Sequence, residues 1–361
     1  MVEKVDVLVV GAGPAGSMAA KYAAMSGASV LMLERRPEVG VPVRCGEFMP
    51  SKEEIVGMFP NLKDTSIFDL PEELHCRETV AIDLIDPVDK VTVLEHTGYT
   101  TDRDRFDQYL AKTAVEAGVD IRMNCLYRKT ENNIAITTKG EIEYKVLIGA
   151  DGPTSLVARS VGLPKNKNPY PAVTAQVKGD FDDHLKMFFG GIAPGAYGWI
   201  IPKDGRANVG VGMSPKFSDG SLQSYFDKFL ARNDFKIENK IQGKFVPSEG
   251  PISKSVKDNV MLVGDAAGQV ISVNGGGIPL AMIAGRICGI VAGENIRSGR
   301  SLENYETEWR NILEKPLKTA AFNKKLADTF AFHSETSTRM CMSLLGKRRM
   351  GNLIRCKRIF P

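Results

Sequence analysis

The sequence lacks any uninterrupted run of about eighteen apolar residues, the length that a membrane-spanning helix requires. The best candidate, from Ile278 to Ala292, is interrupted by Arg286. The first residues lead directly into a predicted strand, so we expect no signal peptide. Hydrophobic residues make up 43% of the 361 positions, charged residues 25% and aromatic residues 7%. This composition is typical of a soluble globular protein with one large core or two modest ones.

No two cysteines form a CxxC pair, and their spacing does not suggest a metal site. The six cysteines stand at positions 45, 76, 125, 288, 341 and 356. Scattered cysteines of this kind are typical of a reducing environment without structural disulfides. We therefore predict a cytoplasmic protein that binds no metal.

Acidic side chains are absent from the last fifteen residues, which carry six cations although the whole chain has a net charge of only +4. These cations are Lys347, Arg348, Arg349, Arg355, Lys357 and Arg358, and the apolar residues among them are Met350, Leu353, Ile354, Ile359 and Phe360. Such a tail could lie on an anionic membrane surface, form a solvated helix end or bind nucleic acid. We predict peripheral contact with the inner face of the membrane, and no nucleic-acid partner.

The strongest motif opens the chain. A valine-rich run over residues 5–10 breaks at three glycines in a GxGxxG pattern, and a helix of small residues follows. This order predicts the strand, tight turn and helix of a dinucleotide-binding unit. Gly11 would make the turn, Gly13 would let the backbone approach a pyrophosphate, and Gly16 would let helix and strand pack closely. The start of the helix would offer free amides to the phosphates.

A carboxylate follows the second predicted strand at the expected distance. Residues 29–33 form this strand, and Glu34 ends it about twenty residues after the glycines. An acid at this offset binds the hydroxyls of an adenosine ribose, which favours FAD or NAD over NADP. The alternative is an ordinary strand–turn–helix with a surface glutamate.

The later elements fall into two groups. Residues 79–86 with 90–95, and 134–138 with 141–147, alternate as hairpins do. A helix is predicted from about residue 103 to 117, ended by Gly118. Between residues 173 and 212 strand-like runs follow one another without helices, which fits a separate antiparallel sheet. Helices are predicted at 221–230, at 278–292 and from Leu302 onward.

Four separated signatures together resemble the FAD-binding pattern of the p-hydroxybenzoate hydroxylase-like flavoprotein superfamily. They are the glycine turn with Glu34, Arg103 at a helix start, Asp151-Gly152 after one apolar strand and Gly264-Asp265 after another. The resemblance implies a mixed α/β fold, with a Rossmann-like FAD-binding domain, an inserted antiparallel-sheet substrate domain and a helical C-terminal region. The expected bounds are 1–75, 97–165 and 255–300 for the FAD domain, 76–96 and 166–254 for the substrate domain, and 301–361 for the C-terminal region.

Two further stretches are similar to the geranylgeranyl reductase family, especially its archaeal members, which saturate isolated double bonds in the prenyl chains of membrane lipids. They are Pro42-Val43-Arg44-Cys45-Gly46-Glu47, and Tyr197-x-Trp199-x-Ile201-Pro202 ending in Gly210-x-Gly212. Two aromatic residues at period two could equally pack one face of a strand. The chain departs from the family pattern at Phe48, where a glycine is common, and at Ile271-Ser272, where Asp-Pro is common.

The resemblance implies a set of site residues. Cofactor contacts are implied for Gly11, Gly13, Ala15, Gly16, Glu34, Arg35, Arg44, Cys45, Gly46, Arg103, Tyr127, Asp151, Gly152, Asp265, Gly277 and Ile278. Substrate contacts are implied for Tyr197, Trp199, Pro202, Gly210 and Gly212. Within the first set, Asp265 would bind the ribityl chain and Tyr127 would approach the adenine through its backbone. The helix that begins at Gly277 would point its positive end at the flavin, where a reduced flavin carries negative charge.

The implied reaction is the FAD-dependent reduction of isolated C=C bonds in geranylgeranyl chains. An isolated alkene has no carbonyl to absorb charge, so a proton must reach one carbon as hydride reaches the other, in a dry slot. Cys45 is the predicted catalytic residue beside that proton path. Tyr197 and Trp199 would line the slot, because aromatic walls suit a chain of isoprene units.

Partners and alternatives stay open at this point. The electron donor could be ferredoxin, a reduced deazaflavin or a nicotinamide, because no second GxGxxG marks a resident nicotinamide site. A flavin-dependent monooxygenase or halogenase is one alternative function, since halogenases carry a related Trp-x-Trp-x-Ile-Pro stretch. A prenyl-lipid carrier without redox chemistry is the other.

Overall fold

The computed structural model describes residues 2–360, which form sixteen strands and eight α-helices. The strands are β1 (Glu3–Val10), β2 (Val30–Leu33), β3 (Phe48–Pro50), β4 (Arg77–Ile85), β5 (Val91–Thr100), β6 (Asp120–Arg122), β7 (Tyr127–Glu131), β8 (Ile134–Thr137), β9 (Gly140–Gly149), β10 (Tyr170–Lys178), β11 (His184–Phe188), β12 (Gly198–Lys203), β13 (Arg206–Gly212), β14 (Gln242–Val246), β15 (Val256–Lys257) and β16 (Val260–Leu262). The helices are α1 (Pro14–Met25), α2 (Lys52–Met58), α3 (Arg103–Glu116), α4 (Leu156–Val161), α5 (Leu222–Arg232), α6 (Ile278–Ser298), α7 (Glu303–Phe330) and α8 (Glu335–Ile354).

The first sheet has a parallel centre in the order β16-β9-β1-β2-β6, with β15 antiparallel at one edge and the β7–β8 hairpin attached to β9. Its central strand, β1, ends in the fully buried residues Val7, Leu8 and Val9. A strand whose side chains are apolar on both faces must be packed against other elements on both faces, as is usual for parallel sheets. Apolar clusters lie on both faces of this sheet, and the one containing α1 and α6 is the larger. The predicted Rossmann-like domain is confirmed.

Helices α1 and α6 approach each other closely because α6 presents a glycine at every fourth position. A Cβ on Gly285, Gly289 or Gly293 would lie 2.5, 2.3 or 2.9 Å from a carbonyl oxygen of α1. Small residues at this spacing let two helix backbones come together. The contact fixes the start of α6 beside the glycine turn that precedes α1.

The second sheet has the order β14-β10-β13-β12-β11-β4-β5-β3. The sequence predicts an antiparallel sheet here, and every pair is antiparallel except β11 with β4. These two strands come from distant parts of the chain, and residues 86–183 between them supply the long crossover that parallel pairing needs. Strand β3 also joins this sheet, although residues 48–50 fall within the expected FAD domain. Helix α5 packs on one face of the sheet and α8 on the other.

Three of the five apolar side chains of the basic tail face the protein interior, whereas Phe360 is 51% exposed. Met350, Ile354 and Ile359 are buried. Met350 and Ile354 belong to the cluster under α8 that includes Ile82. Arg355 binds Glu54 through two hydrogen bonds of 2.7 and 2.5 Å. An amphipathic helix that docks on a sheet has the same alternation as one that lies on a membrane, which is why the pattern was ambiguous.

Lys357 and Arg358 of the tail are exposed, and so are the three consecutive cations Lys347, Arg348 and Arg349. Just before them, α8 is interrupted at Gly346, whose φ of 63° and ψ of 172° are not helical. Pro361, the last residue of the predicted tail, lies outside the described residues. No helix between residues 2 and 360 is both long enough and apolar enough to cross a membrane.

Candidate functional site

A cavity of about 800 Å³ lies between the two sheets and is lined by residues of both. The glycine turn contributes to it from the first sheet, and Tyr197 and Trp199 contribute from the second. All of the predicted site residues line this cavity except Gly16, Pro202 and Gly210. The structure therefore brings most of the predicted cofactor and substrate residues into one continuous space.

The three exceptions have structural roles that follow from their neighbours. A Cβ on Gly16 would lie 1.8 Å from the carbonyl oxygen of Gly11, so this glycine allows helix and turn to touch. Gly210 is opposite Trp199 across β12 and β13, and its Cβ would lie 2.1 Å from the indole ring. Pro202 is opposite Ala207, on the face of β12 turned away from Trp199, since side chains alternate along a strand.

The glycine turn presents bare backbone to the cavity. Gly11 has a φ of 104°, which glycine adopts without strain. A Cβ on Gly13 would meet no atom within 4 Å, so open space faces that backbone. Helix α1 then begins at Pro14, and no side chain caps it. Its first amides are therefore free to bind an anion such as a pyrophosphate.

The carboxylate of Glu34 is fixed at the end of β2. It accepts hydrogen bonds from the backbone N–H groups of Ala12, at 3.1 Å, and Arg36, at 3.0 Å. An ionised carboxylate only accepts hydrogen bonds and has capacity for more than these two. It is therefore suited to the hydroxyl groups of a ribose.

Arg44 gives a test of whether the cavity fits FAD. Its Nε is buried and has no hydrogen-bond partner among residues 2–360. A buried donor without a partner is costly, and an anionic group would satisfy it. Together with the free amides of α1 and the fixed Glu34, this arginine makes the cavity complementary to a dinucleotide with its pyrophosphate.

Asp151 and Tyr127 line the same part of the cavity, but their side chains have other partners. Asp151 accepts hydrogen bonds from Ser155 Oγ at 2.6 Å and from the first amides of α4, so it caps that helix. Burial raises the pKa of Asp151. The hydroxyl of Tyr127 is 2.7 Å from Ser160 Oγ. At this position only backbone atoms, those of Tyr127 and Gly152, are therefore free to contact a nucleotide.

At the other end of the cofactor path, Asp265 lies just after β16 and pairs with a lysine that the sequence analysis missed. Lys244 Nζ is 2.8 Å from Asp265 Oδ2, and both residues line the cavity. Burial lowers the pKa of Lys244, but the charge of Asp265 raises it more, so the net shift is upward. Helix α6 begins nearby at Ile278 without a side-chain cap. A negatively charged ring system would find both a cation and a helix start here.

Cys45 lies in the loop between β2 and β3 and is held at two points. Its Sγ accepts a hydrogen bond from the Glu47 amide at 3.2 Å, and its carbonyl accepts one from Asn208 Nδ2 at 2.9 Å. Arg103 lines the same cavity. Arg103 is itself fixed by two hydrogen bonds to Asp107, of 2.8 and 3.0 Å.

Glu47 anchors this loop to the second sheet. Its side chain is only 1% exposed, and its φ of 69° is unusual for a residue with a side chain. The carboxylate accepts hydrogen bonds from Gln176 Nε2 at 2.7 Å and Asn208 Nδ2 at 2.8 Å. It also forms an ion pair with Lys203, at 2.9 Å. The strained backbone of Glu47 is thus held by partners on β10, β12 and β13.

Lys203 extends the same buried network. It is 1% exposed and also pairs with Asp102 at 2.5 Å, which in turn binds Arg206. Burial lowers the pKa of Lys203, but Glu47 and Asp102 raise it by more. The alternation along β12 places Lys203 on the same face as Trp199 and Ile201. That alternation was visible in the sequence and could have revealed the residue.

The two aromatic residues have their polar atoms satisfied, so their rings serve as apolar walls. Tyr197 donates to the carbonyl of Asn274 at 2.5 Å, and Trp199 Nε1 donates to Asn208 Oδ1 at 2.8 Å. Their ring centroids are 6.0 Å apart in an edge-on arrangement. The apolar lining continues through Phe48, Ile82, Leu185 and Met187. This part of the cavity suits a long hydrocarbon chain.

Comparison with known proteins identifies relatives over nearly the whole chain. A family model described as an FAD binding domain matches residues 4–211, which is more than half of the sequence. A digeranylgeranylglycerophospholipid reductase of Methanocaldococcus jannaschii is 36% identical, and the match covers 90% of this chain and 88% of that protein. Digeranylgeranylglycerophospholipid reductase 2 of Methanothermobacter thermautotrophicus has the same identity and coverage.

Among solved structures, a reductase-like protein is more similar to this chain than a brominase is. A geranylgeranyl bacteriochlorophyll reductase-like protein of Thermoplasma acidophilum superposes with a TM-score of 0.79 at 30% identity, covering 90% of this chain and 88% of that one. A flavin-dependent brominase superposes with a TM-score of 0.71 at 17% identity, covering 98% of this chain and 94% of that one. The second likeness shows a shared fold alone.

Proposed function

This chain belongs to the digeranylgeranylglycerophospholipid reductase family of FAD-binding proteins, and we propose that it saturates isolated double bonds in the geranylgeranyl chains of membrane lipids. FAD is its cofactor. The observation that carries the proposal is that one cavity is lined by the glycine turn and Glu34, by the aromatic residues Tyr197 and Trp199, and by Cys45.

The residues proposed to hold FAD follow from the geometry of the cavity. The free amides of α1 and the unpartnered Nε of Arg44 would bind the pyrophosphate, and Glu34 would bind the adenosine ribose. Asp265 would bind the ribityl chain, and the uncapped start of α6 would stabilise negative charge on the ring. When bound and reduced, FAD supplies the hydride for such a reduction.

The chain itself has to supply a proton and exclude water. We propose that Cys45 gives its thiol proton to one alkene carbon as the other carbon is reduced. The hydrogen bond from the Glu47 amide would stabilise the thiolate that remains, and so would the positive charges of Arg103 and Lys244. Tyr197 and Trp199 would keep water from the alkene, because their polar atoms already have protein partners.

The decisive experiment is the reduction of a defined lipid. The FAD-loaded protein, reduced with dithionite under anaerobic conditions, should convert digeranylgeranylglycerophospholipid into species heavier by one H₂ for each saturated bond, measured by mass spectrometry. Oxygen consumption by the reduced protein with an aromatic substrate and halide would instead support the halogenase alternative. A protein that binds the lipid without changing its mass would be a carrier.

The physiological donor and the place of encounter with lipid are further proposals. The donor would be ferredoxin, a reduced deazaflavin or a nicotinamide, and stopped-flow reduction with each of them in turn would identify it. The exposed cations Lys347, Arg348 and Arg349 would attract anionic headgroups to the protein, each with about 1 kcal/mol near the surface.

A further inference from the structure

Helix α8 packs against two residues that line the cavity, and its two faces differ. On the inner face, Met342 and Leu345 pack against the apolar cluster that contains Tyr197 and Trp199, both of which line the cavity. On the outer face, Met340 is 58% exposed and Leu344 is 73% exposed. These two residues are four positions apart, so they lie on one side of the helix. Apolar side chains thus stand in solvent on the outer face of the helix whose inner face packs against Tyr197 and Trp199.

The end of α7 adds a third exposed apolar side chain to the same place. Phe330, the last residue of α7, is 62% exposed. Its carbonyl accepts a hydrogen bond from Cys341 Sγ at 3.5 Å, which brings it beside the second turn of α8. We call Phe330, Met340 and Leu344 together the hairpin tip.

The cavity also extends to the base of this hairpin. Lys324 of α7 lines the cavity, and its Nζ is 4.4 Å from the ring centroid of Tyr170, another lining residue. The same Nζ is 5.6 Å from the ring of Phe332, which follows Phe330 by two residues. The cavity therefore reaches the segment that joins α7 to α8, next to the hairpin tip in the sequence.

From Arg339 onward the charges of α8 and the tail have one sign, although Glu335 at the start of α8 is an exposed acid. Between Arg339 and Phe360 the sequence contains seven cations and no acidic residue. Arg339, Lys347 and Arg348 are exposed. Exposed aliphatic and aromatic side chains flanked by cations are the composition of elements that lie in the interface of an anionic bilayer.

We propose that the hairpin tip inserts into the interface of a membrane that contains anionic lipid, so that a prenyl chain passes from the bilayer into the cavity along α8. The inference rests on the proposed function, because a lipid substrate gives the insertion its purpose. A membrane fits better than an acidic protein partner, since Met340 and Leu344 stand on the helix that packs against Tyr197 and Trp199 of the lipid-sized slot. The hairpin tip would therefore supply the apolar part of the membrane contact. Met350, Ile354 and Ile359 of the tail cannot supply it, because they are buried.

The test compares two triple variants of the FAD-loaded protein by sedimentation with vesicles of phosphatidylcholine and phosphatidylglycerol at low ionic strength. In the tip variant, Phe330→Ser, Met340→Ser and Leu344→Ser remove exposed apolar area. In the control, Met25→Ser, Val88→Ser and Val115→Ser do the same on other exposed surfaces. The tip variant should bind vesicles at least about tenfold more weakly, because each inserted side chain contributes through burial of its apolar surface. The control should bind like the wild type, and equal binding by the tip variant would overturn the proposal.

A second measurement separates this inference from the proposed function. Lipid dispersed in detergent should be reduced by the tip variant within about twofold of the wild-type rate, since the cavity is unchanged. If the wild type fails to reduce dispersed lipid, the proposed function is wrong, while vesicle binding is judged on its own. If the tip variant binds vesicles normally but is reduced slowly by an acidic donor protein, the surface is a protein interface and the proposal is overturned. Deleting the tail is a poor substitute, because it would remove the buried Met350 and Ile354.

Discussion

At the scale of single residues, Cys45 is the side chain on which the proposed chemistry depends. We expect Cys45→Ala to keep its bound FAD but to lose activity by roughly 10²–10⁴, the range typical of a lost general acid. Cys45→Ser should recover little, because a hydroxyl is far less acidic than a thiol. Mass spectrometry of the lipid product and flavin absorbance measure the two effects. Wild-type turnover by Cys45→Ala would show that the proton comes from elsewhere.

Glu47 is expected to act as a positioning residue for Cys45. In Glu47→Gln the ion pair with Lys203 is lost and a buried ammonium keeps only Asp102, so unfolding should require about 3 kcal/mol less free energy. The freed loop should let iodoacetamide alkylate Cys45 faster. Adding Lys203→Met should restore part of the stability, because the unpaired charge is then removed. Glu38→Gln, an exposed acid in the same loop, is the control. Unchanged stability and alkylation in Glu47→Gln would contradict this role.

Asp265 tests the cofactor assignment. Asp265→Ala removes the proposed ribityl acceptor and leaves Lys244 without its partner, so we expect largely colourless protein. The ratio of flavin absorbance to protein absorbance after purification measures occupancy. Full occupancy in this variant would remove Asp265 from the FAD site, whereas Asp204→Ala, an exposed aspartate away from the cavity, should remain yellow.

Site residues could be predicted from the sequence where they belong to a local motif with a known chemical role. The glycine turn, Glu34, Cys45 and Asp265 all line one cavity, since spacing along the chain reflects strand ends that meet in space. Lys244 and Gln176 were missed because each contacts the site only through the pairing of distant strands. Gly210 was read as a substrate contact, although it makes room for the ring of Trp199.

At the scale of elements, the attachment of α8 depends on Glu54. Burial raises the pKa of Glu54, but His96 and Arg355 lower it more, to about 2 from its usual 4.5. A depressed pKa means that the ionised carboxylate stabilises the fold above about pH 4.5 and loses this effect as the pH falls toward 2. The melting temperature of Glu54→Gln should therefore lie below that of the wild type at pH 7. The difference should shrink as the pH falls from about 4.5 toward 2. Glu73→Gln, at an exposed glutamate, is the control and should show little difference at either pH.

Some elements could be predicted and others could not, for physical reasons. Helices α1, α3 and α6 and the hairpins β4–β5 and β8–β9 follow local patterns and are confirmed. The parallel pairing of β11 with β4 could not be derived, because it joins segments that no local pattern relates. The docking of α8 on the second sheet could not be predicted either, since its apolar residues could have packed on a sheet or lain on a lipid surface.

At the scale of the whole molecule, the cavity couples the two sheets, because FAD would contact residues of both. We expect FAD to raise the unfolding free energy by about 2.7 kcal/mol at a hundred times its Kd. Calorimetry of the apoprotein and the FAD-loaded protein measures the shift, with both sheets unfolding in one transition. Two transitions, of which FAD moves only one, would show that the domains are independent.

The division of the first sheet along the chain has a consequence for how the protein is made. The last parallel strand, β16, and the helix α6 that covers α1 are translated long after β9. Gly149 and Ser298 are 149 residues apart, which at about 5–20 residues per second takes a ribosome roughly 7–30 s. During that time the face of α1 that carries Ala19 and Ala23 has no partner, while the second sheet is already emerging. The nucleotide-binding half begins first but is completed only when α6 has been translated. A nascent chain that stalls in this interval therefore exposes the face of α1 that α6 should cover, and it still lacks Asp265 and the start of α6.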